Sequence, residues 1–195
     1  MTGAVLLAAG AAVRLALAAE GESTLTGQRW SGLTRLAGIE VKADGSGVVQ
    51  VLVFFDPNCP VCARLWLAWN GPQGQARGLA TRWIPVAYMN QRSRGRAAAL
   101  LAENSAAALA RNFVEFDHRA REGAAVPVVP TATMLAQLRA NEAAWQAIAA
   151  ATPLIVYRTR DGRINAQIGM PPPQRMQALL ASVRAHRLEA FDDAR

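Results

Sequence analysis

The 195-residue chain has only two cysteines, two histidines and a single lysine, and each shortage removes a class of protein. Two cysteines cannot make a disulfide scaffold, and a chain of this length can bury a sizeable core without one. Structural zinc needs four ligands. The thiols are joined only by His118 and His186, at unsuitable spacing, so no metal is expected and no other cofactor is implied. Of the 21 basic residues all but Lys42 are arginines, spread along the chain with one tight cluster at Arg92, Arg94 and Arg96. The net charge of +7 therefore reads as compositional bias rather than a binding patch, and no nucleic-acid partner is expected. No internal repeat occurs. With 52% apolar and 18% charged residues, the composition is that of a globular protein.

At the start, Thr2 to Val13 is uncharged and mostly apolar, and small residues follow at Ala16, Ala18 and Ala19. The run is too short for a bilayer of roughly 30 Å. Residues 1–19 read as a secretory signal with an A-x-A site around Ala16 to Ala18, or as an alanine-rich N-terminal helix; Arg14 and the lack of a preceding basic residue weigh against the signal. Residues 20–29 are polar and turn-rich and read as a linker. Residues 30–195 then form one domain.

Within that domain, hydrophobic patterning predicts a short helix at Trp30 to Leu36, a short strand at Ile39 to Val41 and a turn at Asp44 to Gly47. The run Val48 to Phe55, almost wholly apolar, predicts a central strand covered on both faces. A helix is expected over Val61 to Trp69, with Pro60 suited to its first turn because its missing N–H would have no helical partner. Thr81 to Met89 predicts a second strand, in which Pro85 argues for an edge position or a bulge. Helices are expected over Gly95 to Asn104, Ser105 to Arg121 and Thr133 to Ala149, with a loop from Gly123 to Pro130. Leu154 to Tyr157 and Ile164 to Ile168 pair around Asp161-Gly162 as a hairpin, and a last helix runs from Gln174 to about His186. The order is strand, helix, strand, helical insert over about 92–150, hairpin and helix. It predicts an α/β, thioredoxin-like fold with an inserted helical subdomain.

Both cysteines fall in FFDPNCPVCARLW, where the strand meets the helix. A thiol at a helix N-terminus faces unpaired N–H groups and the positive end of the dipole, so its thiolate forms below the ordinary pKa of about 8.5. Cys59 is accordingly expected as an exposed nucleophile. Cys62, nearly one turn later and less exposed, is expected as the resolving thiol that attacks a mixed disulfide. A structural disulfide, which over so short a loop would constrain little of the unfolded chain, and a pair of ordinary buried cysteines remain as alternatives. Trp66, Trp69, Trp83 and Trp145 read as core or groove-lining aromatics, and the two histidines as solvated residues on charged helices.

The segment VLVFFDPNCPVCARLW resembles the active-site region of the DsbC/DsbG disulfide isomerases of the thioredoxin superfamily, and among them the DsbG type with its Asp-Pro-x-Cys-Pro-x-Cys pattern. Asn141 to Gly162 and IGMPPPQRMQALL are similar to later parts of the same family, so the likeness runs from about Trp30 to Arg187. The resemblance implies a thiol:disulfide oxidoreductase using the Cys59-Pro60-Val61-Cys62 pair. It also implies that Thr152-Pro153 is a cis-proline pair opposite the cysteines, with the Thr152 backbone open to an extended substrate segment. Asp56, just ahead of the helix, is expected as a turn or cap residue rather than a proton carrier. Further implications are a periplasmic location, cysteine-containing protein substrates and a membrane redox partner of the DsbD type. The family's N-terminal dimerisation domain has no counterpart in the ten or so residues before Trp30, which suggests a monomer and puts efficient isomerase activity in doubt, leaving reductase or oxidase chemistry. A non-enzymatic peptide-binding chaperone or assembly factor on the same fold is the rival reading.

Overall fold

The computed structural model describes residues 22–25, 30–41, 49–71, 74, 76, 78–159 and 161–192. The segment 1–19, most of the expected linker and the Asp44–Gly47 turn lie outside the described residues. The strands are β1 (Glu22–Thr24), β2 (Ile39–Val41), β3 (Val51–Phe55), β4 (Thr81–Pro85), β5 (Leu154–Arg158) and β6 (Ile164–Ile168). The helices are α1 (Trp30–Leu33), α2 (Pro60–Asn70), α3 (Ser93–Glu103), α4 (Ala106–Val114), α5 (Ala132–Ile148) and α6 (Pro173–Asp192). They build one mixed sheet in the order β1-β6-β5-β3-β4-β2, in which β3 and β4 run parallel and the other neighbours antiparallel.

Strand β3 is central, and all five of its side chains are buried. Because side chains alternate across a strand, Val51, Val53 and Phe55 enter one core while Leu52 and Phe54 enter the other. The first core is closed by Leu65, Trp66 and Trp69 of α2, Leu109 and Phe113 of α4, and Met176, Leu179 and Leu180 of α6. The second is closed by Leu33 of α1 and Trp145 of α5. A strand covered on both faces can only be apolar throughout, which is why this run was readable.

Four aromatic rings surround Trp83 of β4. The centroids of Phe55, Trp66, Trp69 and Phe113 lie 5.8, 5.0, 6.3 and 5.7 Å from it. The Trp83 indole N–H donates to the Thr81 hydroxyl at 3.2 Å, so the polar edge is satisfied inside the core. The cluster ties α2 and α4 to the sheet directly beneath the strand-to-helix junction at Cys59.

Several elements differ from expectation. Strand β1 falls in what was read as linker; its three polar residues carry no apolar alternation and are ordered by pairing with β6. Strand β4 ends at Pro85 rather than Met89, and β2 covers it only over Thr81 to Trp83, so Pro85 lies where no second neighbour needs its missing N–H. Helix α4 stops at Val114, seven residues short. There the Asp117 carboxylate accepts the N–H groups of Arg119 and Ala120 at 2.8 Å each, Arg121 takes φ +56°, and Asp117 bridges back to Glu122. This side-chain turn replaces the helix, and His118 sits exposed in it. The β5–β6 turn uses Gly162 at φ +80°, with its N–H bonded to the Thr159 carbonyl at 2.9 Å.

Truncating Trp83→Ala would remove the centre of the aromatic cluster, and the expected loss of unfolding free energy is about 3–5 kcal/mol. Urea titration followed by circular dichroism measures it; a loss below about 1 kcal/mol would show that the cluster repacks freely.

Candidate active site

Pro57 and Asn58 turn the chain from β3 into α2, and Cys59 occupies the N-cap of that helix with extended backbone, φ −84° and ψ 114°. Pro60 opens the first turn. The Cys59 sulfur accepts the Cys62 N–H at 3.3 Å, the place usually filled by a serine or aspartate oxygen. On its other side the Cys59 thiol lies 3.6 Å from the Thr152 carbonyl, to which it donates, and the Thr152–Pro153 bond is cis. Both cysteines are free thiols. Cys59, Cys62, Thr152, Pro153, Pro60 and Val61, scattered over two parts of the sequence, thus meet at the start of α2.

One expectation is corrected. Cys59 is not an exposed sulfur: it is 3% accessible, against 0% for Cys62. The cover comes from the Thr152 segment, which is 93 residues away in the chain and invisible to a local reading.

Despite similar burial the two thiols differ electrostatically. Cys59 is lowered from the ordinary thiol value of 9.0 to about 7, first by the hydrogen bond from the Cys62 thiol, then by the Thr152 side chain and the Cys62 and Val61 N–H groups, while burial opposes the shift. Cys62 is pushed well above its ordinary value, first by complete burial and then by the hydrogen bond and negative charge of Cys59. The pair is one donor and one acceptor of the same hydrogen bond, so stabilising the first thiolate destabilises the second.

Asp56 holds the junction together. It is fully buried, and one carboxylate oxygen accepts the Asn58 N–H at 2.8 Å and the Ser93 hydroxyl at 2.9 Å. The other accepts the N–H groups of Tyr88 and Met89 at 2.8 and 2.9 Å. Burial raises its pKa above the ordinary carboxylate value and these four donors pull against that rise. All four contacts are structural, in keeping with a turn and anchoring role.

Asn58 extends the anchor. Its amide donates to the Asn90 oxygen at 2.9 Å and the Ser93 hydroxyl at 3.1 Å, and its oxygen accepts the Gly123 N–H at 3.0 Å. The Asn112 amide donates to the Pro57 carbonyl at 3.1 Å. Gly123 has no room for a side chain: a Cβ there would lie 2.2 Å from Asn112 Oδ1 and 2.4 Å from the Pro57 carbonyl oxygen. The Arg92 and Arg96 guanidinium groups both bind Glu122, at 2.9 and 2.7 Å, so two members of the arginine cluster brace the turn that delivers Gly123.

Sequence reasoning missed Tyr88, Asn90, Ser93, Asn112 and Gly123. Asn58 was inside the quoted motif without being singled out. Its flanking prolines and cysteine were the available signal; for Tyr88 there was none beyond its being one of two tyrosines. Tyr88 is half-exposed, its ring lies 4.7 Å from that of Trp145, and its hydroxyl is 2.8 Å from the Thr152 hydroxyl.

Two outcomes follow from these contacts. In Asp56→Asn one acceptor oxygen becomes an amide facing donors, so stability should fall by about 1–3 kcal/mol or more, as for a buried group left unsatisfied; denaturant midpoints decide it, and an unchanged midpoint would contradict the anchor. For Cys59, thiolate absorbance at 240 nm should titrate near pH 7, and Cys62→Ala should move the midpoint upward because the largest lowering contact is removed. The sign of the linked stability is set by a folded pKa below the unfolded one: Cys59 stabilises the dithiol protein fully above about pH 9 and loses that contribution as pH falls through 7.

Comparison with known proteins places this geometry. No family model matches the chain. DsbG of Pseudomonas aeruginosa, a thiol:disulfide interchange protein, is 32% identical over 162 residues, covering 80% of this chain and 60% of DsbG, so the chain spans less than two thirds of that relative's length. Among solved structures, a periplasmic thioredoxin-like protein from Salmonella enterica serovar Typhimurium superposes with a TM-score of 0.60 at 17% identity, over 80% of this chain and 95% of that one. The catalytic domain of Proteus mirabilis ScsC gives 0.56 at 16% identity, over 80% and 94%. A thioredoxin-like oxidoreductase from Silicibacter pomeroyi gives 0.54 at 19%, over 83% and 99%. By fold the chain is thioredoxin-like, and across the matched 162 residues its sequence is similar to DsbG.

Proposed function

We propose that the chain is a thiol:disulfide oxidoreductase that exchanges disulfides with, or reduces oxidised cysteines of, exported proteins through Cys59 and Cys62. The observation that carries this reading is the Cys59 sulfur at the N-cap of α2, accepting the Cys62 N–H and flanked by Thr152. With a pKa of about 7, roughly half of Cys59 is thiolate at neutral pH, near the optimum for an attacking thiol.

The chemistry runs in two balanced steps. The Cys59 thiolate attacks one sulfur of a substrate disulfide; a Cys59–substrate disulfide forms and the other substrate sulfur leaves as thiolate, taking up a proton. Cys62 then loses its proton and attacks the Cys59 sulfur. The mixed bond breaks, the Cys59–Cys62 disulfide forms, and two electrons have passed to the substrate. The raised pKa of Cys62 keeps it protonated while Cys59 is a thiolate. Once Cys59 is in a mixed disulfide its negative charge is gone, and that part of the opposition to a Cys62 thiolate goes with it. Val61 supplies an N–H toward Cys59, and Pro60 starts the helix at the position where an N–H has no helical use.

Thr152 and Pro153 form the substrate-binding edge. Strand β5 begins at Leu154, so the Thr152 peptide groups lie beyond its ladder with β3 and β6, where an extended substrate segment can pair with them. The periplasmic description of the Salmonella protein and the likeness to DsbG support a periplasmic location, with a membrane partner of the DsbD type returning the disulfide to the dithiol.

Reduction of insulin by dithiothreitol, followed by turbidity, tests the reading. Wild type should accelerate it, Cys59→Ser should abolish the acceleration, and Cys62→Ser should retain mixed-disulfide formation without turnover. Equal rates for wild type and Cys59→Ser would end the proposal.

A further inference from the structure

The loop after β4 places one aromatic side chain beside the substrate edge and gives it no part in the chemistry above. The Tyr88 N–H is held by the buried Asp56 carboxylate at 2.8 Å, its hydroxyl lies 2.8 Å from the Thr152 hydroxyl, and its ring lies 4.7 Å from that of Trp145, tilted by 31°. Trp145 is buried, 4% accessible, and its indole N–H donates to the Ala151 carbonyl at 2.8 Å. The stack thus has an inner ring in the core and an outer ring, Tyr88, that is 43% accessible. With its N–H, its hydroxyl and one side of the ring engaged, what Tyr88 leaves to solvent is the rest of the ring. Nothing in this arrangement depends on which of the two hydroxyls donates.

A ring held on three sides has already lost its rotamer freedom, so a side chain that packs on it gains contact at little further entropic cost. Its place in the site sets what can pack there. The Cys59 sulfur lies 3.6 Å from the Thr152 carbonyl, and the Tyr88 hydroxyl lies 2.8 Å from the side chain of the same residue, so sulfur and ring border one residue of the edge. An extended chain advances about 3.3 Å per residue. A segment whose cysteine faces Cys59 therefore brings its neighbouring side chains within reach of the ring. The surface offered is a phenol ring backed by an indole, which favours a large apolar side chain. Burial, and then the charges of Cys59, Cys62 and Asp56, oppose ionisation of Tyr88, and the same charges oppose an acidic side chain on its ring.

We propose that Tyr88 is a specificity-determining residue: its exposed ring receives a large apolar side chain within two residues of the substrate cysteine, so that the protein prefers disulfides set in apolar sequence. The inference rests on the reading of Cys59 and Cys62 as the redox pair and of Thr152 as the substrate edge. It assigns the recognition of sequence to the loop after β4 and leaves the backbone pairing at Thr152 indifferent to it.

The test uses the full chain and short peptides with one cysteine, held as a mixed disulfide with thionitrobenzoate and flanked on both sides by Phe, Leu, Ser, Asp or Arg. The Cys59 thiolate attacks the peptide sulfur; the Cys59–peptide disulfide forms and thionitrobenzoate leaves as its coloured thiolate, which gives the rate. Dividing by the rate of the same peptide with glutathione removes intrinsic reactivity. Wild type should take the Phe and Leu peptides about threefold to tenfold faster than the Ser peptide. Tyr88→Phe, which keeps the ring, should hold that ratio, and Tyr88→Ala should abolish it. In Cys62→Ser, where the mixed disulfide persists, its exchange equilibrium with glutathione should show the same order of peptides. Each ratio is taken within one variant, so a lower folded fraction cancels and instability alone leaves it unmoved. A wild type that does not discriminate, a preference for Asp or Arg, an unchanged ratio in Tyr88→Ala, or a ratio lost equally in Tyr88→Phe would each overturn the proposal while leaving the redox pair standing. Thionitrobenzoate release as fast with Cys59→Ser as with wild type would overturn the underlying reading instead.

Discussion

One buried carboxylate sets the position of everything near the sulfur. Asp56 accepts from Asn58 on its own loop, from Tyr88 and Met89 after β4, and from Ser93 at the start of α3. Each of those three stretches brings a donor to the same carboxylate, backbone N–H groups from the first two and a hydroxyl from the third. Removing an acid from water is costly unless donors replace the water, and here four do. The same requirement works in reverse: wherever the chain places four donors around Asp56, it has also placed the Cys59 N-cap, Tyr88 and the first turn of α3. Asn58 repeats the device one residue later and adds Gly123, so the junction is fastened from both sides.

Fastening matters because the thiol chemistry depends on differences between two similar groups. Cys59 and Cys62 are both nearly inaccessible, so burial alone would raise both pKa values. What separates them is the supply of donors. Cys59 has the Cys62 N–H, the Cys62 thiol and the Thr152 side chain, whereas Cys62 is opposed by the charge it helps to create. Displacing the N-cap would lengthen several of these bonds together. A rigid buried network under a small reactive group is therefore the arrangement expected where geometry tunes reactivity.

How much of this could be read from the sequence followed the range of the interactions. Strand β3 was legible because a strand covered on both faces must be apolar at every position, and VLVFF is. The hairpin was legible because Asp161-Gly162 supplies the one residue that tolerates φ +80° there. Cys59 and Cys62 were legible because helix-start chemistry is local. Strand β1 was not, since three polar residues acquire strand geometry only from β6. Nor was the end of α4: Phe113 and Phe116 keep a helical spacing that hides the Asp117 turn. The coverage of Cys59 was missed for the same reason, because it depends on a segment 93 residues away.

That last difference changes how the nucleophile should be pictured. An exposed thiol and an activated thiol are competing requirements: water around the sulfur leaves its pKa near the ordinary value, while donors that lower it must occupy the surrounding space. Cys59 meets the second requirement. Its cover on one side is the backbone of Thr152, whose carbonyl accepts from the thiol in the dithiol form. This is the backbone to which the substrate segment is proposed to bind. On that reading, the group that shields the sulfur also aligns the incoming disulfide. When the thiol ionises, its bond to the Thr152 carbonyl is lost, and the Cys62 N–H at 3.3 Å remains as a donor to the sulfur.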